Sequence, residues 1–212
     1  MPVALTREGE PVYWDFTQKD TALLPCGFAD GASHCRGMAA LLRRACCEEV
    51  LVLDGIGDFG ELEGCRVVSG DDLPGEVEAL LARIGRRITD HRAHFDATGE
   101  KLALPPLGLV LYGGSELADR LSRDHVAALD AVLARLGPNL ALFTVLCSRF
   151  EDGSYSDFAA VAARLPAQSG LALQKPDTHS QNLLRCAELS RTSPFAGLVR
   201  EGKLIPCGFA EA

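Results

Sequence analysis

A chain of 212 residues, 47% hydrophobic and 24% charged, has the balance of a globular protein with room for one large domain. Its net charge is -8, and no Lys/Arg cluster exceeds the pairs Arg43-Arg44 and Arg86-Arg87, so nucleic acid, which needs a basic stripe, is a disfavoured partner. No apolar run approaches the ~20 residues of a membrane span, and the opening MPVALTREGE lacks the apolar centre of a secretory signal.

In chain order, EPVYWDF (10–16) follows the turn-like REGE and predicts an edge strand or hairpin arm. TALLPCGF (21–28) reads as a buried strand weakened at its end by Pro25. Met38, Leu41, Leu42, Ala45 and Cys46 then recur at helical spacing. EEVLVLDGIGDFG (48–60) is a buried strand ending in a polar, Gly-rich turn, and CRVVSGDD (65–72) is a further short strand. Asp71 and Asp72 open a long helix with the stripe Val77, Leu80, Leu81, Ile84 and Ile88, stopping near Thr98-Gly99. LPPLGLVLYGG (104–114) is the next strong strand. A helix over 122–139 follows, with Ser122 as N-cap, the face Val126, Leu129, Leu133 and Leu136, and a Gly-Pro stop. LALFTVLCSR (140–149) is a strand, SDFAAVAARLP (156–166) a helix, GLALQKP (170–176) a strand and DTHSQNLLRCAEL (177–189) a helix. GLVREGKLIPCGF (197–209) reads as a closing hairpin turning at Glu201-Gly202.

Strands and helices alternate, with no internal repeat and no linker, so the expectation is one α/β domain over 1–212 with a mainly parallel sheet covered by helices. Ligands of such sheets bind at the carboxyl ends of strands. The turns after Cys26, Leu53, Tyr112 and Cys147 are therefore the places to look. The first of these, PCGFADGASHCRGM, has the shape of a phosphate-binding loop running into a helix. With Gly27 as its first glycine, Ala32 stands at the second glycine, Ser33 at the lysine and His34 at the magnesium hydroxyl. Asp30, beside Gly31, adds a negative charge to the cradle. Taken alone, the loop reads better as a plain strand-to-helix turn. The magnesium site needs an Asp-Glu pair at the end of another strand, and Tyr112-Gly113 occupy that place in LGLVLYGGSEL.

Other side chains favour ordinary roles. The eight cysteines form no C-x-x-C pair, and buried free thiols in a reducing compartment are the expectation. His91 and His94 share a helix without a visible third metal ligand. Arg86 and Arg87 read as a solvated helix face.

The ordered set of segments resembles the motor domain of the FtsK/SpoIIIE family. LLPCGFADGASHCRGMAALL sits where that family has its P-loop and first helix, and EEVLVLDGIGDFGEL is similar to its lvliDpkgge strand. The long helix with paired arginines, GLVLYGGSELADRL beside vvviDefaeLm, LALFTVLCSR beside ihlvlatqR, GLALQKPDTHSQNLL and the closing hairpin follow at matching spacing over almost the whole chain. The resemblance implies a P-loop NTPase-like (RecA/FtsK-type) α/β fold: a mainly parallel sheet flanked by helices, with terminal β-hairpins. It also implies a vestigial P-loop at Gly27, Asp30, Gly31, Ser33 and His34, and vestigial magnesium-site positions at Tyr112 and Gly113. The closing-hairpin arginine of the family is Ala196 here. Every chemical letter is replaced while the frame persists, which implies a pseudo-ATPase with no catalytic residue and no cofactor, ATP and magnesium entering only if the site still functions.

Within the family, the acidic charge and the missing catalytic letters favour a terminal, degenerate domain of a type VII (ESX/WXG100) secretion motor. The implied partners are secreted WXG100-type proteins and adjacent ATPase domains, with homo-oligomers a further option and nucleic acid not expected. The implied location is cytoplasmic, as the soluble part of a membrane-anchored motor. Two readings stand against this one: a divergent but active ATP-binding translocase domain, and an unrelated α/β enzyme using the Asp54 and Cys147 turns.

Overall fold

The structure, a computed structural model, describes residues 2–6, 8–13, 22–26, 31–44, 49–147, 157–158, 169–172, 197–200 and 203–206. The chain opens with a hairpin of β1 (Pro2–Leu5) and β2 (Pro11–Tyr13), which form their own two-stranded sheet. Residue patterning alone pointed to the second arm only, while the family resemblance implied a hairpin at this end. Between the arms, the Thr6 N–H donates to the Glu10 carbonyl at 2.8 Å, the Gly9 N–H donates to the Thr6 carbonyl at 3.0 Å, and the Thr6 hydroxyl accepts from the Glu10 N–H at 3.1 Å.

The main sheet has eight strands among the described residues. They are β3 (Ala22–Cys26), β4 (Glu49–Asp54), β5 (Arg66–Ser69), β6 (Leu107–Tyr112), β7 (Leu142–Cys147), β8 (Ser169–Ala172), β9 (Gly197–Arg200) and β10 (Lys203–Pro206). Their spatial order is β10-β9-β8-β3-β7-β6-β4-β5. All pairings from β8 across to β5 are parallel, while β9 pairs antiparallel with β8 and with β10. The expected mainly parallel sheet and closing hairpin are both present. Pro25 does not end β3: it lies within the strand opposite Leu171, and β3 continues to Cys26.

Four helices are described: α1 (Gly31–Arg44), α2 (Leu73–Thr98), α3 (Gly114–Arg120) and α4 (Arg123–Arg135). Alternate strand residues point to opposite faces. Leu51 and Leu53 of β4 and Leu107, Leu109 and Leu111 of β6 join α2 residues Leu73, Val77, Leu80 and Ile84 and α4 residues Leu129 and Leu133 in one core, which also takes Phe158. Burying each such side chain contributes about 1.5–3 kcal/mol. The intervening residues Val50, Val52 and Val110 are buried on the other face, where α1 packs on β4 and β6 with Cys35, Met38, Ala39 and Leu42 inside.

Local chemistry sets the helix ends. Ser122 caps α4, its hydroxyl accepting from the His125 N–H at 3.1 Å, as its sequence position predicts. Gly99 closes α2 with φ +74° while its N–H bonds the Phe95 carbonyl. Asp72 holds the N-cap position of α2, but its side chain caps no helix N–H.

Three expectations are corrected. Ile88, assigned to the apolar stripe of α2, is 36% exposed. The physical reason is angular: the buried positions of α2, Leu73, Val77, Leu80, Ile84 and Arg87, form one seam, and Ile88 stands about 100° round the helix from Arg87. Leu136 is not on the buried face of α4 but at its C-cap, and is 37% exposed. Arg87 is not solvated: it is buried, and its guanidinium donates to the Leu140 carbonyl at 2.8 Å. Helix α3 was not foreseen, because seven residues after Gly113 are too few to show a helical period. The helices expected over 156–166 and 177–189 lie outside the described residues, apart from Asp157 and Phe158.

Candidate functional site at the carboxyl ends of the strands

The parallel register brings the ends of three strands side by side, Asp54 opposite Tyr112 and Tyr112 opposite Cys147. Strand β3 ends at Cys26, and α1 begins at Gly31. Gly27 and Asp30 lie outside the described residues. Ser33 and His34 fall in the first turn of α1, so the strand-to-helix frame expected of a P-loop is present.

Asp54 is fully buried. Its Oδ1 accepts from the N–H groups of Ile56 at 3.0 Å and Gly57 at 2.8 Å, and its Oδ2 accepts from Phe59 N–H at 2.8 Å. Three backbone donors on one carboxylate fold residues 55–59 into a tight turn over the strand end and offset the cost of burying the charge. The same turn is stitched to its neighbours. Gly55 N–H donates to the Tyr112 carbonyl at 2.9 Å, and Arg120 Nε donates to the Gly55 carbonyl at 3.0 Å. Gly55 also passes so close to α3 that a Cβ there would lie 2.4 Å from the Leu117 nitrogen. Only glycine fits that crossing.

Tyr112 is 3% exposed. Its hydroxyl donates to Asp58 Oδ2 at 3.0 Å, and its ring meets Phe59 edge-on at a centroid distance of 4.9 Å and an angle of 86°. Arg36, on α1, completes the cluster. It donates to the Asp58 carbonyl at 2.7 Å, and its guanidinium lies 5.3 Å from the centre of the Phe59 ring. The helix that should carry the phosphate loop is thereby fastened to the β4 turn through Asp58 and Phe59.

Gly113 follows with φ +70°, and a Cβ on it would lie 2.5 Å from Ile56 Cγ1. The backbone at the second magnesium-site position therefore favours glycine over a carboxylate residue. Glu116 supplies a carboxylate close by, but its Oε2 is buried without a hydrogen-bond partner among the described residues.

The fit of magnesium to this corner can be tested on these contacts. A magnesium site wants carboxylate and water oxygens in near-octahedral array. Here the carboxylate at the end of β4 has both oxygens bonded by its own turn, and the end of β6 offers a phenol packed against a phenyl ring. No group of three or more His, Cys, Asp or Glu side chains among the described residues is placed to hold a metal ion, and His91 with His94 gains no third ligand there. The ends of β4 and β6 thus offer magnesium no free carboxylate oxygen, and among the described residues the unpartnered oxygen in this corner is Glu116 Oε2 on α3. The three-donor clamp also gives Asp54 a structural task, which removes the main support for an unrelated enzyme centred on that turn.

Sequence reasoning located Tyr112 and Gly113 but missed Arg36, Asp58, Phe59 and Arg120. The only signal was GIGDF itself, a polar and aromatic run just after a buried strand. Away from this corner, burial pushes the Cys65 thiol up, and the Arg43 charge partly offsets that.

No protein-family model matches the chain, and no curated protein matches it. Solved structures do. The chain superposes on the cytoplasmic domain of EssC with a TM-score of 0.74 at 14% identity, over 99% of this chain and 43% of that one. The cytoplasmic domain of the Thermomonospora curvata type VII secretion ATPase EccC gives 0.69 at 20% identity, over 100% of this chain and 28% of that one. The pCW3 conjugation coupling protein TcpA, solved with ATPγS, gives 0.71 at 14% identity over 100% of this chain and 65% of that one. A further EccC structure, comprising ATPases 2 and 3, is in complex with a signal sequence peptide.

The fold is thus that of a P-loop ATPase domain. More narrowly, it is the FtsK/SpoIIIE-type fold found in type VII secretion motors and in a conjugation coupling protein. The chain spans less than half the length of the EssC and EccC chains. No described helix is long and apolar enough to cross a membrane.

Proposed function

We propose that this domain is a degenerate ATPase domain of a type VII secretion motor, one that recognises secreted protein segments or regulates an adjacent, active ATPase domain without hydrolysing ATP. One observation carries the reading: the buried Tyr112 at the end of β6, bonded to Asp58 and packed on Phe59 where a hydrolysing domain needs its magnesium-site carboxylate. Removing a single group that stabilises a phosphoryl-transfer transition state already costs orders of magnitude in rate. Ser33 and His34, at the lysine and hydroxyl positions of the loop, weaken phosphate binding on the same argument.

The same fold in a protein solved with a signal sequence peptide supports protein segments as ligands, and the net charge of -8 disfavours nucleic acid. Secreted WXG100-type proteins and neighbouring ATPase domains are the partners to try first, and self-association the next. The setting that accompanies the reading is the cytoplasmic face of a membrane-anchored motor.

Calorimetric titration of the purified protein with magnesium-ATP tests the reading. The expected outcome is no binding heat and no rise in melting temperature, since a ligand held only by the folded state would stabilise it by RT ln(1 + [L]/Kd). Micromolar binding accompanied by phosphate release would instead establish the divergent active translocase. Added to an active ATPase domain of the same motor, the protein is expected to change that domain's rate.

A further inference from the structure

Among the described residues, strand β5 is the last strand of the sheet on its side, with β4 on one edge and no strand on the other. On an edge strand, alternate residues aim unpaired N–H and C=O groups outward, which makes the edge a template for another strand. Beside this edge runs an open groove of about 460 Å³ lined by Arg66, Val67, Val68 and Ser69 of β5 and by Asp72 and Glu76 at the start of α2.

The lining is polar, and two of its polar side chains cap no helix N–H. Ser69 holds the N-cap position of the short 3-10 turn Gly70–Asp72, and Asp72 the N-cap position of α2, yet neither side chain caps a helix N–H. Both are residue types that normally do so. Glu76 is largely buried and is paired with the guanidinium of Arg66, whose side chain is 62% exposed. An arginine on β5 thus already shows what the wall of the groove accepts: a cation delivered from an extended strand. Asp71 and Asp72 are exposed next to it, and in the groove lining the acids Asp72 and Glu76 outnumber the base Arg66.

We infer that the β5 edge and its groove are a docking site for an extended, basic peptide segment, which adds as a strand to the sheet and sets a Lys or Arg against Asp72 and Glu76. The backbone ladder supplies affinity without regard to sequence, and the acids select the side chain at alternate positions. The chain's net charge of -8 favours the encounter with a basic partner. The inference concerns the opposite side of β4 from β6, and does not depend on whether the nucleotide corner binds ATP.

The test uses a labelled peptide of about six residues, the usual strand length, alternating threonine and lysine. Fluorescence anisotropy reads binding to the full chain, and hydrogen exchange reads the amides of residues 66–69. Saturable binding with slowed exchange on β5 is expected. The same peptide N-methylated at alternate residues keeps its charge but loses its ladder, and its binding is expected to disappear. Exchanging its lysines for glutamates is expected to abolish binding too. Asp72→Asn, whose side chain caps nothing, is expected to leave the melting temperature in place and weaken the lysine peptide about three- to fivefold, the size of an exposed ion pair.

A flat titration overturns the inference. So does undiminished binding of the N-methylated or glutamate peptide, protection on another element, or unchanged affinity in Asp72→Asn. Protection of β5 that grows with protein concentration in the absence of peptide would assign the edge to a second copy and overturn it as well.

Discussion

The ends of β4 and β6 lie in register, Asp54 opposite Tyr112, and they invert what their residue types suggest. The acid is silent. Its two oxygens are spent on three N–H groups of its own turn, and it is shielded from solvent. The tyrosine, which looks like a loss, is what joins the two ends: it bonds Asp58, packs on Phe59, and through them reaches Arg36 on α1. A carboxylate at the end of a parallel strand is a chemical candidate only while an oxygen is left over. The comparison also shows that the corner is built as a packed unit with its own contacts. Three substitutions break or sharpen it.

Asp54→Ala is the largest. It removes the acceptor of three buried donors, and hydrogen bonds to a charged acceptor are worth about 1.5–3 kcal/mol each and are not additive. A loss of about 3 kcal/mol or more is expected, near the top of the usual range for one substitution. For a chain of this size that lowers the melting temperature by roughly 6–12 °C. Thermal melting followed by circular dichroism checks it. If Asp54→Ala melted like the parent while losing a ligand, the acid would belong to a site and the contrast between the strand ends would fail.

Gly113→Glu restores a carboxylate at the second magnesium-site position, so it asks whether one letter is all that was lost. The backbone answers through φ +70° and through Ile56 Cγ1, 2.5 Å from where the new Cβ would stand. Left-handed backbone at a non-glycine residue costs about 1–3 kcal/mol before the contact is counted. The Glu116 Oε2 atom, 3.2 Å from that Cβ position, places a second carboxylate beside the new one. A destabilisation of about 2 kcal/mol is expected, with no gain in magnesium-ATP binding by calorimetry. A variant of parental stability that bound ATP would mean the corner is one substitution from a working site.

The frame of this molecule was legible because its signals are local. EVLVLD and LGLVLY are apolar runs bounded by turns, Ser122 caps the helix it precedes, and Gly99 stops α2. What the sequence did not disclose depends on distance or on a small angle. Arg86 and Arg87 are adjacent letters, but a helix turns about 100° between them. That turn leaves one in solvent and buries the other against the Leu140 carbonyl, 53 positions away. Tyr112 and Asp58 are 54 positions apart, and nothing in either neighbourhood announces the bond between them. The missing partner β1 is four residues long, too short for alternation to rise above chance. At the candidate site the sequence offered the positions Tyr112 and Gly113, and the contacts that surround them were not legible in it.

Tyr112→Phe has the smallest effect and discriminates most finely. It deletes one O–H donor and leaves the ring in its edge contact with Phe59. Asp58 is exposed to solvent, so no buried acceptor is stranded. The expected cost is the net value of one hydrogen bond, about 1 kcal/mol, or roughly 2–4 °C in melting temperature. The informative readout is nucleotide. If the hydroxyl acts as a latch holding the β4 turn across an otherwise competent site, its removal should let magnesium-ATP bind. If the ring itself fills the place of the carboxylate, binding stays absent in Tyr112→Phe as in the parent. The second outcome is expected, because the phenyl group still occupies the end of β6 and supplies no oxygen to a metal. Calorimetry on the two proteins side by side separates a corner that is held shut from one that has been rebuilt.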